Sequence, residues 1–241
     1  MIVADVRKHL DRGDAELALA LVAQGSSVEL ERAECRLRDE GIDALLDDPR
    51  LLTALIESRR GAHASYALFS YVIVRHALTE AGEDDRVLAD YVASILLHFG
   101  LHQRAERIAD SDDERYDTLA ELSAVTGSAD AQRSFLGRAH LGNYALWLSG
   151  LFPDRIEYRR WRRGGPDLDY YEEMGRRGFS LAAEHRLASQ HGLAALFATA
   201  AERFAVLRLA LNHVSDRFLF PNVHTPERLM RQVRSEWRLA Q

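Results

Sequence analysis

Side chains able to bind a ligand gather between residues 136 and 179, in two groups. The first group is His140, Asn143 and Trp147, which recur at helical spacing and share one stripe of a predicted helix over residues 136–152. Buried His and Asn side chains need hydrogen-bond partners, because an unpaired buried polar group is costly. Those partners are either a ligand or other groups of the protein, and the second alternative is the more common one.

The second group is an arginine-rich run that the sequence presents as a connector between two helices. The run holds Arg155, Arg159, Arg160, Arg162 and Arg163, with Tyr158 and Trp161 among them. Its candidate ligand-binding residues are Arg159, Arg160, Trp161, Arg162 and Arg163. Guanidinium groups bind carboxylate or phosphate through paired hydrogen bonds, and interleaved aromatic rings can stack on a base. The alternative is a solvated segment paired with its acidic neighbours. The net charge of −6 argues against nucleic acid as the main partner.

A second helix, predicted over residues 167–190, follows the connector and carries Tyr170 and Tyr171. Gly175 and Gly178 lie along one side of this helix. Glycine inside a helix costs about 1 kcal/mol relative to alanine, so close packing against another backbone is the favoured reason for the pair. The two helices and the connector together predict a pocket between residues 136–152 and 167–190. Its candidate ligand-binding residues are both groups of side chains together with Tyr170 and Tyr171.

The same stretch resembles a family of helical bacterial proteins with no known activity. The residues that carry the resemblance are Leu141-Gly142-Asn143, Leu148-Ser149-Gly150-Leu151-Phe152-Pro153, Asp169-Tyr170-Tyr171 and Met174-Gly175, with a further similarity between Phe69 and Gly100. The resemblance covers about half the chain. It implies an all-helical fold in a bacterial cytoplasm and brings no catalytic residue, metal ligand or cofactor with it.

The whole chain of 241 residues reads as one all-α domain, a multi-helix bundle of antiparallel hairpins without a β-sheet. A break near residues 58–62 is a candidate internal boundary. A final helix over residues 225–240, opened by Thr225-Pro226-Glu227, is expected to dock on the body or on a second copy. No apolar run is long enough to span a membrane, and no signal peptide is recognisable, so a cytoplasmic location is expected. The single cysteine, Cys35, excludes an internal disulfide and is predicted to be buried.

Two functional hypotheses follow from these patterns. The first is a non-enzymatic helical protein that mediates protein–protein interaction or regulation, with a protein partner or a homo-oligomer. It is favoured because no metal-binding, nucleotide-binding or nucleophile motif is present. The alternative is a helical-bundle binder of a small molecule or cofactor, with the pocket described above and the arginines holding a small anionic ligand. This alternative is compatible with an enzymatic activity, which the sequence does not favour.

Overall fold

The computed structural model describes residues 1–102, 105–108 and 114–239, and these residues form helices and connecting turns without any β-strand. The all-α fold predicted from the sequence is therefore confirmed. By their contacts the residues cluster into two compact units, 2–101 and 102–241. The expectation of one domain with a boundary near residues 58–62 stays a prediction; residues 58–62 lie inside the first unit.

Six α-helices make up the first unit. They are α1 (Arg12–Ala23), α2 (Ser27–Glu40), α3 (Asp43–Leu46), α4 (Pro49–Glu57), α5 (Tyr66–Glu80) and α6 (Arg86–His102), which ends at the unit's boundary. Within this unit α5 is buried on nearly all sides, as expected for a helix that is apolar around most of its circumference. Cys35, on α2, is exposed rather than buried, so that prediction was wrong.

Arginine–aspartate pairs tie the helices of the first unit together. Arg75 of α5 is almost fully buried and donates from Nε to Oδ1 of Asp47 at 2.8 Å. Arg86 of α6 donates to the same carboxylate. A buried guanidinium is tolerated when its charge is compensated. Asp47 and Asp84 both accept hydrogen bonds from Arg75, while its Nη1 makes none within the described residues.

The Tyr71 hydroxyl is one of three buried polar groups of the described residues that make no hydrogen bond, with Nε of Arg7 and Nη1 of Arg75. Tyr71 lies on α5, is fully buried, and has its ring beneath the guanidinium of Arg7, whose carbon is 5.7 Å from the ring centroid. Within the described part of the chain, its hydroxyl has no hydrogen-bond partner. Burial raises the pKa of Tyr71 to about 12, because the charged phenolate is disfavoured away from water.

The described part of the second unit contains eight α-helices. They are α7 (Leu119–Val125), α8 (Ala131–Leu151), α9 (Pro153–Arg163), α10 (Leu168–Ala183), α11 (Arg186–Gln190), α12 (Ala194–Glu202), α13 (Phe204–Val214) and α14 (Pro226–Leu239), with a π-helical turn at Ser215–Leu219. The predicted helix over residues 167–190 is thus two helices, because the chain turns at residues 184–185. Across the residues that the structure describes, no helix combines the length and hydrophobicity needed to cross a membrane.

The arginine-rich run, predicted as a connector, is the helix α9. Pro153 occupies its first position, where the missing N–H costs nothing, and Gly164 ends it in the left-handed conformation with φ 63°. Arginine is a good helix former, so the residues between these two signals favour a helix. As a consequence the arginines project in fixed directions.

Glycines bring α8 and α10 into backbone contact. A Cβ atom on Gly178 of α10 would lie 2.6 Å from the backbone nitrogen of Gly142 in α8 and 3.0 Å from the carbonyl oxygen of Arg138. A Cβ on Gly142 would in turn lie 2.5 Å from the ring of Phe179. Only glycine fits such an approach, and this accounts for its presence in two helix interiors despite the cost to helix stability.

We expect Tyr71→Phe to leave the free energy of unfolding at pH 7 unchanged or to raise it by up to about 1 kcal/mol, because the lost hydroxyl makes no hydrogen bond. Above pH 10 the unfolded chain releases the Tyr71 proton while the folded chain keeps it until about pH 12, so stability falls over this interval. That fall should be shallower in Tyr71→Phe. Urea titrations at pH 7 and above pH 10, with the exposed Tyr66→Phe as control, test both statements; a clear loss of stability at pH 7 would contradict the first.

We expect Gly178→Ala to lower the free energy of unfolding by about 1–3 kcal/mol, because the added methyl group meets backbone atoms that cannot move aside without separating α8 from α10. This loss should exceed the gain of about 1 kcal/mol from the higher helix propensity of alanine. Gly127→Ala is the matched control: its Cβ would meet nothing nearer than 3.9 Å, and we expect a change within about 0.5 kcal/mol. Equal melting temperatures for the two variants would contradict the backbone contact.

Candidate functional site

The break between α8 and α9 shapes the candidate site. Phe152 ends α8 and precedes Pro153, and its φ of −125° and ψ of 41° lie outside the helical region. A residue before proline is driven away from helical geometry by the proline ring, so the helix must stop here. The chain therefore turns at once from α8 into α9, and side chains from the last turns of α8 meet side chains from the first turns of α9.

Side chains from α13 and from the π-helical turn after it hold the C-terminal end of α8. Nδ2 of Asn212 donates to the carbonyl oxygens of Ser149 and Gly150, each at 2.7 Å, and Oγ of Ser215 donates to the carbonyl oxygen of Leu151 at 2.7 Å. The last carbonyls of a helix have no partner within the helix, and these bonds satisfy them away from water. The position of the α8–α9 turn is fixed in consequence.

A cavity of about 310 Å³ lies at this turn. It is lined by Glu106, Asp117, Tyr144, Leu148, Phe152, Arg155, Ile156, Arg159 and Tyr171. Its volume is at the lower end of the range of ligand pockets, about 300–1,000 Å³. Apolar side chains from α8, α9 and the turn between them form one part of the wall, and polar or charged side chains form the rest.

Two arginines give the cavity a basic side. Arg155 and Arg159 lie one turn apart on α9, so both project from the same face of the helix. Among the residues that the structure describes, neither guanidinium forms a hydrogen bond or an ion pair with a carboxylate of the chain. Two guanidinium groups that converge on one space with their donors uncommitted are suited to an anionic group.

Two carboxylates give the cavity an acidic side. Glu106 is held in place because Nε2 of His140 donates to the carbonyl oxygen of its neighbour Ala105 at 2.9 Å. The backbone N–H of Tyr116 donates to the carbonyl oxygen of Glu106 at 2.8 Å, and so aligns the segment that carries Asp117. Neither carboxylate is engaged in an ion pair or a side-chain hydrogen bond with any other described residue.

Two tyrosines join the basic and acidic sides. Tyr144 and Tyr171 are buried, and no hydrogen bond to either hydroxyl occurs within residues 1–102, 105–108 and 114–239. Burial, reinforced by the charges of Glu106 and Asp117, raises the pKa of Tyr144 to about 12. Burial also raises the pKa of Tyr171, against the opposing effect of Arg159. Both phenols are therefore protonated near pH 7 and can donate a hydrogen bond as well as accept one.

Of the side chains predicted to bind a ligand, Arg159 and Tyr171 belong to the cavity wall. His140 lies behind the wall and positions it: its ring holds the Ala105 carbonyl and stacks on Tyr144 with centroids 6.1 Å apart. Tyr170 packs edge-on against Tyr171. These four therefore meet at the cavity, two in its lining and two in support.

The remaining predicted side chains lie elsewhere on α8 and α9. Asn143 is buried inside α8, and the half-buried Trp147 packs edge-on against the ring of Phe152. Nε1 of Trp161 donates to Oε2 of Glu157 at 3.1 Å, and Arg160 is 3.9 Å from the same carboxylate.

Arg162 and Arg163 are exposed at the end of α9. None of these side chains is among the residues that line the cavity.

Sequence reasoning missed the acidic side and Tyr144 as a cavity residue. Glu106 and Asp117 belong to polar segments without helical periodicity, so no pattern relates them to α8 or α9. Tyr144 recurs at helical spacing with the apolar residues of α8 and is not distinguished from them by sequence, and Arg155 is one arginine in a run of several. A signal for Arg155 and Arg159 was present in their spacing of four residues, once the segment is recognised as a helix.

No protein-family model, characterised protein or solved structure matches this chain. The family resemblance expected from the sequence stays a prediction.

Proposed function

We propose that the second unit binds a small molecule with an anionic group in the cavity at the α8–α9 turn. The observation that carries the proposal is the convergence of Arg155 and Arg159 on a space of about 310 Å³, with neither paired to a carboxylate among the residues that the structure describes. The two protonated tyrosine hydroxyls add donors, and the apolar wall accommodates a carbon skeleton. The bacterial cytoplasm expected from the sequence is the proposed setting.

Support for binding, rather than a purely structural role, comes from a comparison within the protein. Elsewhere buried or half-buried arginines are used to join helices: Arg75 pairs with Asp47, and Arg208 of α13 donates to Glu172 of α10 at 3.1 Å. Arg155 and Arg159 are exposed and pair with no described carboxylate, so no contact between helices accounts for their position at the cavity. A ligand anion would take the place that a carboxylate takes in the other pairs.

A second candidate function is self-association through α14, and the direction in which this helix faces supports it. Arg228 and Arg231 are each only 4% exposed and bind Asp154 of α9 and Asp216 at 2.7 Å. Among the described side chains of the same helix, Leu229 and Val233 face outward, with 56% and 47% of their surface exposed. An amphipathic helix normally turns its apolar side inward, so this arrangement leaves an apolar surface for another protein.

A second copy of the chain is the proposed occupant, as the expectation of a homo-oligomer requires. Met230 continues the apolar face of α14, and Tyr158 and Trp161 are exposed one turn apart on the neighbouring α9. Aromatic residues and methionine are enriched at protein interfaces.

We expect Arg159→Gln to weaken the binding of a small carboxylate, with butanoate as the probe, by about tenfold, because one charge-assisted hydrogen bond is lost. Stability should be unchanged, since Arg159 makes no ion pair within the described chain. Isothermal titration calorimetry measures the affinity, and thermal melting checks the fold.

Arg163→Gln is the matched control, because Arg163 is an exposed arginine of the same helix and is not a lining residue. Its affinity for butanoate should equal that of the wild type. The proposal fails if neither butanoate nor any other small probe with an anionic group binds, or if the two variants lose affinity equally.

We expect the wild-type chain to form dimers at about 100 µM and the double variant Leu229→Gln/Val233→Gln to remain monomeric, because polar side chains on the outward face remove the apolar area that a second copy would cover. Sedimentation equilibrium measures the mass of each. Val87→Gln, on an exposed valine of α6, is the control and should associate like the wild type. A monomeric wild-type chain would end this second candidate.

A further inference from the structure

The charges around the cavity are separated into two ends. Glu106 and Asp117 act on the hydroxyl of Tyr144, and both raise its pKa after the larger effect of burial. Arg159 is the foremost charged group acting on Tyr171, where neither carboxylate contributes. Arg155 also acts on Tyr144 and lowers its pKa, but by less than either carboxylate raises it. All four charged residues line the one cavity. The carboxylates dominate beside Tyr144, which we call the acidic end, and the two guanidinium groups dominate beside Tyr171, which we call the basic end.

An acidic end is unfavourable in a site for a simple anion. Two carboxylates at the wall of the same cavity repel a bound anion and offset part of its attraction to the arginines. The arginines do not neutralise these carboxylates, since no ion pair joins the two in the described part of the chain. A ligand that gains from both ends must carry both signs of charge.

We propose that the ligand is a small zwitterion, with a primary ammonium group held by Glu106 and Asp117 beside Tyr144 and an anionic group held by Arg155 and Arg159 beside Tyr171. This inference rests on the proposed function, because it assigns the chemistry of the same cavity. An ammonium group donates three hydrogen bonds and suits two carboxylates and a phenol oxygen. A carboxylate or a phosphate suits the two guanidinium groups equally well.

The remainder of the wall limits what lies between the two charges. Leu148, Phe152 and Ile156 provide apolar contacts, which match a carbon chain rather than further polar groups. The volume of about 310 Å³ limits the ligand to the size of an amino acid or a short amino phosphate.

Four probes of similar size test the inference. They are butanoate, butylammonium, 4-aminobutanoate and O-phosphoethanolamine, each titrated into the full chain by calorimetry near pH 7. We expect at least one of the two zwitterions to bind ten times or more tightly than both singly charged probes. The preferred zwitterion identifies the anionic group as carboxylate or phosphate.

The double variant Glu106→Gln/Asp117→Asn tests the residues assigned to the ammonium group. We expect its affinity for the preferred zwitterion to fall at least tenfold, while its affinity for butanoate is unchanged or rises because the repulsion is gone. Glu173→Gln, on an exposed glutamate of α10 outside the lining, is the control and should bind all four probes like the wild type. Circular dichroism and the melting temperature establish that the double variant is folded.

The outcomes separate the two proposals. If butanoate binds as tightly as both zwitterions and the double variant changes neither affinity, the zwitterion inference is overturned while the anion-binding proposal stands. If none of the probes binds at concentrations up to about 10 mM, both proposals are overturned. If butylammonium alone accounts for the affinity of the zwitterions, the arginines have no role and both proposals are again overturned.

Discussion

The approach of Gly178 to the backbone of Gly142 is the contact on which the second unit depends. It sets the separation of α8 and α10 at a distance that no side chain permits. The polar interactions nearby follow from that distance: Glu172 of α10 accepts from Arg208, and Arg208 donates to Asn212, which holds the end of α8. A network of this kind requires its parts to be placed within tenths of an ångström, and backbone packing provides that placement.

In the first unit, arginine–aspartate ion pairs hold the helices together. Its helices are joined by carboxylates that each receive two arginines, as Asp47 does from Arg75 and Arg86. Asp48 is similar: burial alone would raise its pKa, but hydrogen bonds from Arg50 and Arg36 outweigh burial and lower the pKa to about 2. The favourable contribution of Asp48 is therefore complete above about pH 4 and is lost as the pH falls towards 2.

Helical periodicity was sufficient to predict the all-α fold, because most core residues recur at intervals of three or four and mark their own helices. The close approach of α8 and α10 could be anticipated from Gly175 and Gly178, since two costly glycines in one helix require a reason. The candidate site could be predicted only in part. Arg159 and Tyr171 lie on segments with helical periodicity. The segments that carry Glu106 and Asp117 are positioned by the hydrogen bond from His140 to the Ala105 carbonyl and by the backbone bond from Tyr116 to Glu106. Residue spacing in the sequence does not predict such contacts.

The helix α9 contacts α14 and also lines the cavity. Asp154, in the first turn of α9, binds the inward arginines of α14, while Arg155 and Arg159 of the same helix face the cavity. Any displacement of α9 alters both sets of contacts together. If a cavity ligand and a partner of α14 prefer different positions of α9, each changes the affinity of the other by the same factor, as reciprocal linkage requires. The helix α9 is thus shared by the two proposed binding surfaces, and one shared helix is the simplest arrangement that permits allosteric coupling between them.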